Sequence, residues 1–321
     1  MMRRIVRLLI VCGVALAGAA RADDYPTRPI TLVVPYPAGG GNDLIARVVA
    51  EKMSAALGQA IVIENRGGAG GTIATRQVAK SAPDGYTLLV ATSSLAINPS
   101  LYPNVGYDPR TDFSPIGLMA SSQNVALVHP SVAAQSIAEL IARAKAAPGK
   151  LTFASTGGGN SVQLAAELFA AMAGVSLTAI PYKGNGPALS DLLGGHVAMM
   201  FSPLPAAVGL VRDSKVRALA VTGSRRAPLF PDLPTVAEAG LPGYESSLHY
   251  GIVAPAGVPR LIVQKLNGAL RAALAAPDVQ QRLAADGAEV MPGTPAAYAA
   301  DIAAEEAKWS PIVRKAGLKG E

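Results

Sequence analysis

Two copies of one tetrapeptide, Gly39-Gly40-Gly41-Asn42 and Gly157-Gly158-Gly159-Asn160, hold the most informative chemistry in this chain. The first follows the strand-like run Ile30-Thr31-Leu32-Val33-Val34 and opens the helical pattern Asp43–Val49. The second follows Leu151-Thr152-Phe153-Ala154 and opens Ser161–Leu168. A strand, a glycine loop and a helix start make an anion-binding device. Backbone N–H groups without helical partners and the positive end of the helix dipole converge on one spot, and glycine lets a ligand approach the backbone. Two such devices predict two lobes, each presenting half of a site for a small anion.

Neither loop is a nucleotide fingerprint. Leu44 and Val162 stand where the third glycine of a dinucleotide motif belongs, and Gly149-Lys150 is followed by Leu151 rather than Ser or Thr. Beside the loops, Asp43 can cap the early helix or shape the loop that holds the anion. Ser155, Thr156, Asn160 and Ser161 offer hydroxyl and amide donors suited to a carboxylate, and equally serve as turn and capping residues. Thr92-Ser93-Ser94 and Ser202 lie just past strands, where open α/β sheets place ligand contacts. Tyr182 and Lys183 sit on a further strand-to-helix loop; Lys183 could attract an anion or be an ordinary exposed lysine.

Enzymatic constellations are thin. His129, His196 and His249 show no metal-ligand spacing, and no G-x-S-x-G elbow accompanies any serine. Glu305-Glu306, with Lys308 nearby, is expected to face solvent, and Trp309 to be a packing residue. No catalytic residue, metal or cofactor is expected.

The elements that must position these groups alternate strand and helix nearly throughout, which predicts α/β layers with largely parallel sheets. Strands are expected at Ala60–Glu64, Tyr86–Ala91, Ile116–Ala120, Val125–Val128, Thr178–Pro181, Val197–Phe201, Ala218–Thr222 and Ile252–Ala254. Helices are expected at 70–81, 136–147, 186–193, 206–213, 259–275, 277–286 and 294–316, with a short one at Thr235–Ala239. The strand near Ile252 returns to the first lobe's sheet. That lobe is therefore discontinuous, and two crossovers, Ala120–Leu127 and Tyr244–Val253, form a hinge.

Residues 1–22 read as a secretory signal peptide: Arg3, Arg4 and Arg7, then apolar Leu8–Ala19, then Ala20-Arg21-Ala22. Loss of these residues, with their four arginines, lowers the formal charge from +6 to +2 and removes Cys12, the single cysteine. Disulfides and thiol chemistry are thereby excluded, and with no Lys/Arg run left, nucleic-acid binding has no support. Export to a bacterial periplasm is expected, with no second apolar stretch of membrane-spanning length.

Seven further stretches, in this order and spacing, resemble a known family. They are Tyr25-Pro26-Thr27-Arg28-Pro29-Ile30, Val34–Asp43, Glu64-Asn65-Arg66-Gly67-Gly68-Ala69-Gly70-Gly71, Asp84–Leu89, Pro181-Tyr182-Lys183-Gly184, Leu233–Gly240 and Ala254–Pro259. The chain resembles, over essentially its whole mature length, the periplasmic solute-binding component of tripartite tricarboxylate transporters, the Bug receptor family. The resemblance implies a type II periplasmic-binding fold, two α/β lobes with a central ligand cleft and a two-segment hinge. Lobe 1 would comprise 23–123 and 248–321, and lobe 2 would comprise 124–247. It implies a monomer that captures a small carboxylate and hands it to membrane permease subunits. The implied contacts are Tyr36, Ala38, Gly39, Gly40 and Asp43 on one side, and Ser155, Thr156, Gly159, Asn160 and Ser161 on the other. Ser93, Tyr182 and Ser202 would meet the distal part of the ligand. Many members carry an acidic residue in place of Ser202 and a Trp within the crossover Ser247–Gly251, so the solute itself stays open. A ligand sensor without transport is the second reading. A secreted hydrolase is disfavoured by the missing nucleophile and base.

Overall fold

In the computed structural model, which describes residues 24–39, 41–156, 160–182 and 184–320, the described residues form ten strands in two sheets that share one strand. The expected signal peptide, Gly40, Gly157-Gly158-Gly159 and Lys183 lie outside the described residues. In the first sheet, β1 (Ile30–Val34) sits between β2 (Ile61–Asn65) and β3 (Thr87–Thr92), all parallel. β9 (Ser247–Pro255) pairs antiparallel with β3 and with β4 (Phe113–Val128). β1 and β3 are buried on both faces, as their unbroken apolar runs demand.

The second sheet begins on the same β4. Its last residues, Asn124–Val128, pair antiparallel with β7 (Met199–Pro203) on one edge and with β8 (Arg217–Val221) on the other. β5 (Thr152–Ser155) and β6 (Thr178–Pro181) continue in parallel from β7. The two short strands expected at Ile116–Ala120 and Val125–Val128 are thus one strand of 16 residues. Ser121–Asn124 breaks the apolar run without breaking the strand, because these side chains bond across the ladder: Ser122 to the Tyr250 hydroxyl (3.1 Å), and Gln123 Oε1 to the Gly223 N–H (2.8 Å). A short strand absent from the sequence expectation, β10 (Ala288–Val290), pairs with β4 at Ala120–Ser122. Thr235–Ala239 is a turn with one bridge, Val221 to Thr235, rather than a helix.

Helices cover both sheets. α1 (Gly41–Leu57) follows the first glycine loop, α2 (Thr72–Ala79) follows β2, and α3 (Ser94–Leu101) follows β3. α4 (Ile137–Ala146) starts where Ser136 Oγ accepts from the Glu139 N–H (3.2 Å). α5 (Ser161–Ala173) follows the second glycine loop, and α6 (Asn185–Leu193) and α7 (Leu204–Arg212) follow β6 and β7. α8 (Arg260–Ala275) buries Ile262, Leu266, Leu270 and Leu274, a four-residue period that lays one face on the first sheet. α9 (Pro277–Ala285) is brief. α10 (Pro295–Lys315) begins as expected, with Thr294 Oγ1 accepting from the Ala297 N–H (3.1 Å) and Pro295 at the first helical position.

α10 reaches both cores. Tyr298 and Ile302 pack with Leu89, Leu95 and Val253 on the first sheet. Trp309 and Val313 join Phe153, Phe169 and Phe201 on the second, together with Ile97 and Leu101 of α3. Glu305, expected on the solvent side, is 5% exposed, and its Oε2 accepts from the Trp309 indole N–H (3.1 Å). Its burial follows from its place between the two buried stretches of the helix.

α10 comes tightly against β9 at Gly251, where an added Cβ would stand 2.3 Å from the Tyr298 ring. Gly251→Ala should cost about 1–3 kcal/mol through overpacking against that buried ring. Urea denaturation followed by tryptophan fluorescence measures it; an unchanged midpoint would mean that Tyr298 is free to move aside.

Candidate functional site

Both glycine loops lie at the carboxyl ends of parallel strands, where an open α/β sheet holds its ligands. At the first, the turn Pro37-Ala38-Gly39 is exposed, and Gly39 takes a left-handed φ of 82° that a side chain would resist. Asp43 pulls this turn down onto the sheet. Its Oδ2 accepts from the Gly39 N–H (2.9 Å) and from Arg47 Nε (2.9 Å), and its Oδ1 from Asn65 Nδ2 (3.0 Å). Asn65 Nδ2 also donates to the Tyr36 carbonyl (3.1 Å), and Arg47 donates to Asn65 Oδ1 (3.3 Å).

Asp43 is 2% exposed, and the Arg47 bond, outweighing the effect of burial, holds its carboxyl down at about 2, with the Gly39 and Asn65 donors adding to the shift. Asp43 therefore shapes the loop, and its oxygens are spent on protein donors. The Tyr36 hydroxyl bonds Ser94 Oγ (2.9 Å) and Thr92 Oγ1 (3.3 Å), tying the ends of β1 and β3 together.

The second loop is built differently. Asn160 caps α5: its Oδ1 accepts from the N–H groups of Val162 and Gln163, each at 3.1 Å, and its Nδ2 donates to Thr156 Oγ1 (2.5 Å). Two first-turn donors of α5 are thereby used. Among the described residues the N–H and hydroxyl of Ser161 have no partner, and Ser161 is half-buried. Asn42, the counterpart of Asn160, does not cap its helix; its half-buried side chain makes no hydrogen bond among the described residues. The two copies thus differ in how they are held: Asp43 fixes the turn before the first helix, and Asn160 caps the second.

Ser93, Ser94 and Ser161 line one crevice of about 10 Å³ together with Leu248 and Trp309. That is room for roughly one water. Ser93 is fixed by the crossover: its N–H donates to the His249 carbonyl and its Oγ accepts from the His249 N–H, both at 3.1 Å. The His249 ring in turn bonds Asp301 of α10 through Nδ1 (2.9 Å). Burial alone would lower the His249 pKa, but Asp301, helped by Glu305 and Glu245, overrides it and raises it. Behind the crossover Lys308 is paired with Glu245 and stands 3.6 Å from Glu305.

The structure thus gathers Tyr36, Gly39 and Asp43 at one loop, Thr156, Asn160 and Ser161 at the other, and brings Ser93 and Ser161 to one crevice. Ser155 is buried beneath the second loop, where its carbonyl accepts from the Tyr182 N–H (2.8 Å). The two remaining candidates have their hydroxyls turned to protein partners. Tyr182 donates to Asp191 Oδ2 (2.7 Å), and Ser202, fully buried, donates to the Pro203 carbonyl (3.3 Å).

Three residues that organise the site escaped the sequence reading as site residues: Arg47, Asn65 and Asn124. Asn124 Nδ2 donates to the Ser161 carbonyl (3.1 Å), and its backbone brackets Thr222: its N–H donates to Thr222 Oγ1 (2.8 Å) and its carbonyl accepts from the Thr222 N–H (2.9 Å). Thr222 Oγ1 donates onward to the Ser246 carbonyl (2.7 Å). The available signal was the polar stretch Ser121–Asn124 between two apolar runs.

The family model described as "Tripartite tricarboxylate transporter family receptor" matches residues 45–318. Among solved structures, Rpa4515 of R. palustris with adipate is 40% identical, covers 92% of this chain and 99% of its own, and gives a TM-score of 0.79. The periplasmic binding protein BugD is 40% identical with the same coverages and a TM-score of 0.76. MatC (Rpa3494) from Rhodopseudomonas palustris with bound malate is 35% identical over 90% of this chain and 100% of its own, with a TM-score of 0.74. These neighbours are periplasmic binding proteins with the two-lobed fold that the family resemblance implies.

The Asp43 cluster makes a pH-dependent prediction. Its folded pKa of about 2 lies below the ordinary 3.8, so its contribution is complete above the unfolded value and is lost as pH falls through the folded one. Because Arg47 is half-exposed, Asp43→Asn should cost about 1–2 kcal/mol at pH 7, less than the full shift implies. Urea midpoints of the two proteins should converge as pH falls from about 4 to about 2. An equal gap at neutral pH and at the acid end of that range would show that the aspartate acts through shape rather than charge.

Proposed function

The chain belongs to the tripartite tricarboxylate transporter receptor family, and on that premise we propose that it is a periplasmic solute-binding protein that captures a small carboxylate for a tripartite transporter. The carrying observation is the meeting of the β3–α3 junction, at Ser93 and Ser94, with the start of α5 at one crevice, where Ser161 offers an N–H and a hydroxyl unpartnered among the described residues. A carboxylate needs several converging donors, and backbone N–H groups at a helix start supply them without a formal positive charge. The bound adipate and malate of two relatives support an acid as the ligand here.

The two glycine loops grip the carboxylate. On this proposal one side of the grip is Tyr36, Ala38, Gly39 and Gly40, with Asp43 fixing the Gly39 turn, and the other is Ser155, Thr156, Gly159, Asn160 and Ser161. Ser93 serves the far end. Tyr182 and Ser202 contribute only if lobe movement frees their hydroxyls from Asp191 and Pro203. The lobes divide as 23–123 with 248–321 against 124–247, and closure of one on the other presents a changed shape to the membrane subunits. No covalent step is involved; the protein binds and releases its solute unchanged, in the periplasm.

A panel of mono-, di- and tricarboxylates assayed by thermal shift should contain acids that raise the melting temperature in a saturable way, because a ligand of the folded state stabilises it. Ser161→Ala should weaken the best of them by about 1–3 kcal/mol through loss of a hydrogen bond to a charged group. Titration calorimetry gives the number. A panel in which sugars or metal ions stabilise the protein and every carboxylate fails would reject the proposal.

A further inference from the structure

His249, on the crossover strand β9, touches the candidate site with its backbone and a charged cluster with its ring. The Ser93 N–H donates to the His249 carbonyl, and Ser93 Oγ accepts from the His249 N–H, both at 3.1 Å. The ring bonds Asp301 of α10 through Nδ1 (2.9 Å), with the two side chains 15% and 16% exposed. Ser93, His249, Asp301 and Glu305 line one small cavity. α10 also holds the rest of α3: Trp309 and Val313 pack with Ile97 and Leu101, and Ser310 Oγ bonds Ser100 Oγ (2.7 Å). The start of α3 is therefore tied to α10 twice, once by this packing and once through His249 and Asp301.

The charges around the ring come from α10 and from the segment before β9. Asp301 and Glu305 lie on α10, and Glu245 is paired with Lys308, which stands 3.6 Å from Glu305. Tyr298 of the same helix stays neutral, because burial pushes its hydroxyl further up. β4 sets Ser121 opposite His249, and the β3–α3 junction offers Thr92 and Ser93, none of them charged. Three carboxylates thus stand against Lys308, and a proton on His249 offsets part of the excess. Burial disfavours the imidazolium, but Asp301, with Glu305 and Glu245, outweighs it, so the ring keeps its proton to a higher pH than an ordinary histidine.

We propose that the His249–Asp301 pair makes solute capture proton-dependent: the protonated ring tightens the grip on a carboxylate at Ser93, and loss of the proton loosens it. The inference rests on the carboxylate function proposed above and adds its regulation. Two effects share one sign. The proton places a positive charge beside the residue that meets the solute, and it makes the bond to Asp301 a charge-assisted one that holds the crossover and the start of α3 in place. By linkage, an anion that binds there raises the His249 pKa, so the solute takes up protons as it binds.

Adipate and malate, titrated calorimetrically into the mature protein from about pH 6.5 to about pH 9, test this; if neither binds, the tightest acid of the carboxylate panel replaces them. Wild-type affinity should fall by about threefold or more across the range, with a midpoint above the ordinary histidine value of 6.5. His249→Gln keeps a hydrogen-bonding side chain and removes the titrating group. It should bind at the wild type's high-pH affinity and lose the pH dependence. Asp301→Asn should move the midpoint to lower pH. Near the midpoint, titrations in phosphate and in Tris, whose ionisation heats differ, should reveal proton uptake on binding. A flat wild-type profile, or a pH dependence that His249→Gln retains, overturns the inference and leaves the carboxylate function standing. If no carboxylate of the panel binds, the proposed function itself falls. Should either variant fold poorly, the wild type decides by NMR: the His249 ring resonance, told from the other two histidines by His129→Gln and His196→Gln, should share the midpoint of the affinity profile, and a different midpoint overturns the inference.

Discussion

One strand belongs to both sheets, and the geometry of everything else depends on it. β4 spends its first eleven residues, Phe113–Gln123, on β9, and its last five, Asn124–Val128, between β7 and β8. The hydrogen bonds of a single ladder therefore fix the first sheet relative to the second. They fix in the same stroke the strand ends from which both glycine loops leave. Any opening of the cleft has to bend β4 and β9 themselves. The strands offer places for that: register shifts fall between Pro115 and Gly117, between Leu118 and Ala120, and between Ala126 and Leu127. A bulge leaves a residue out of the ladder and lets a strand turn where a regular one resists.

α10 adds a second constraint of a different kind. Its first half is packed into the core of one sheet and its second half into the core of the other, so separation of the lobes pulls on buried surface at both ends. The polar groups between the halves face the crossover: Asp301 on His249, and Lys308 on Glu245. His249 is also the residue whose backbone holds Ser93. A movement of α10 therefore reaches the candidate site through two hydrogen bonds and one side chain. The strand pair sets where the molecule bends, and the helix resists how far.

Much of this was legible in the residues. The strand–loop–helix units and the alternation of elements arise from local pattern, since buried parallel strands and amphipathic helices leave strong periodicities, and the return of the strand at Ile252 to the first sheet follows from its need for a partner sheet. What stayed hidden depended on contacts distant in sequence. Ser121–Asn124 looked like a break because four polar residues in a strand have no local justification; their partners, Tyr250, Gly223, Thr222 and Ser161, lie 37 to 128 residues away. Glu305 looked solvated for the same reason. The repeated Gly-Gly-Gly-Asn was legible as a motif and misleading as a symmetry. Its asparagine caps the helix in the second copy and not in the first, and the fifth residue is aspartate in one and serine in the other. Asp43 ties down the Gly39 turn ahead of its helix, and Asn160 caps the first turn of the other.

That difference bears on how an acidic residue can sit inside a site meant for an anion. Asp43 would repel a carboxylate if its charge were open to the cleft. Its side chain is 3% exposed, and Arg47 meets the carboxylate at salt-bridge distance. The pair is close to neutral from outside, and the Gly39 N–H is drawn inward to complete it. The aspartate thus costs the first loop one donor and some field, and in return holds a glycine turn that has little side-chain packing of its own. In the second loop an uncharged asparagine does the holding and uses two helix donors. Each loop spends donors among the described residues on holding itself in shape. On the function proposed above, the remaining donors are divided between two lobes, and a full set would form when the lobes come together. A binding site that is incomplete in either half makes closure depend on the solute, which a receptor must do if its shape is to report occupancy.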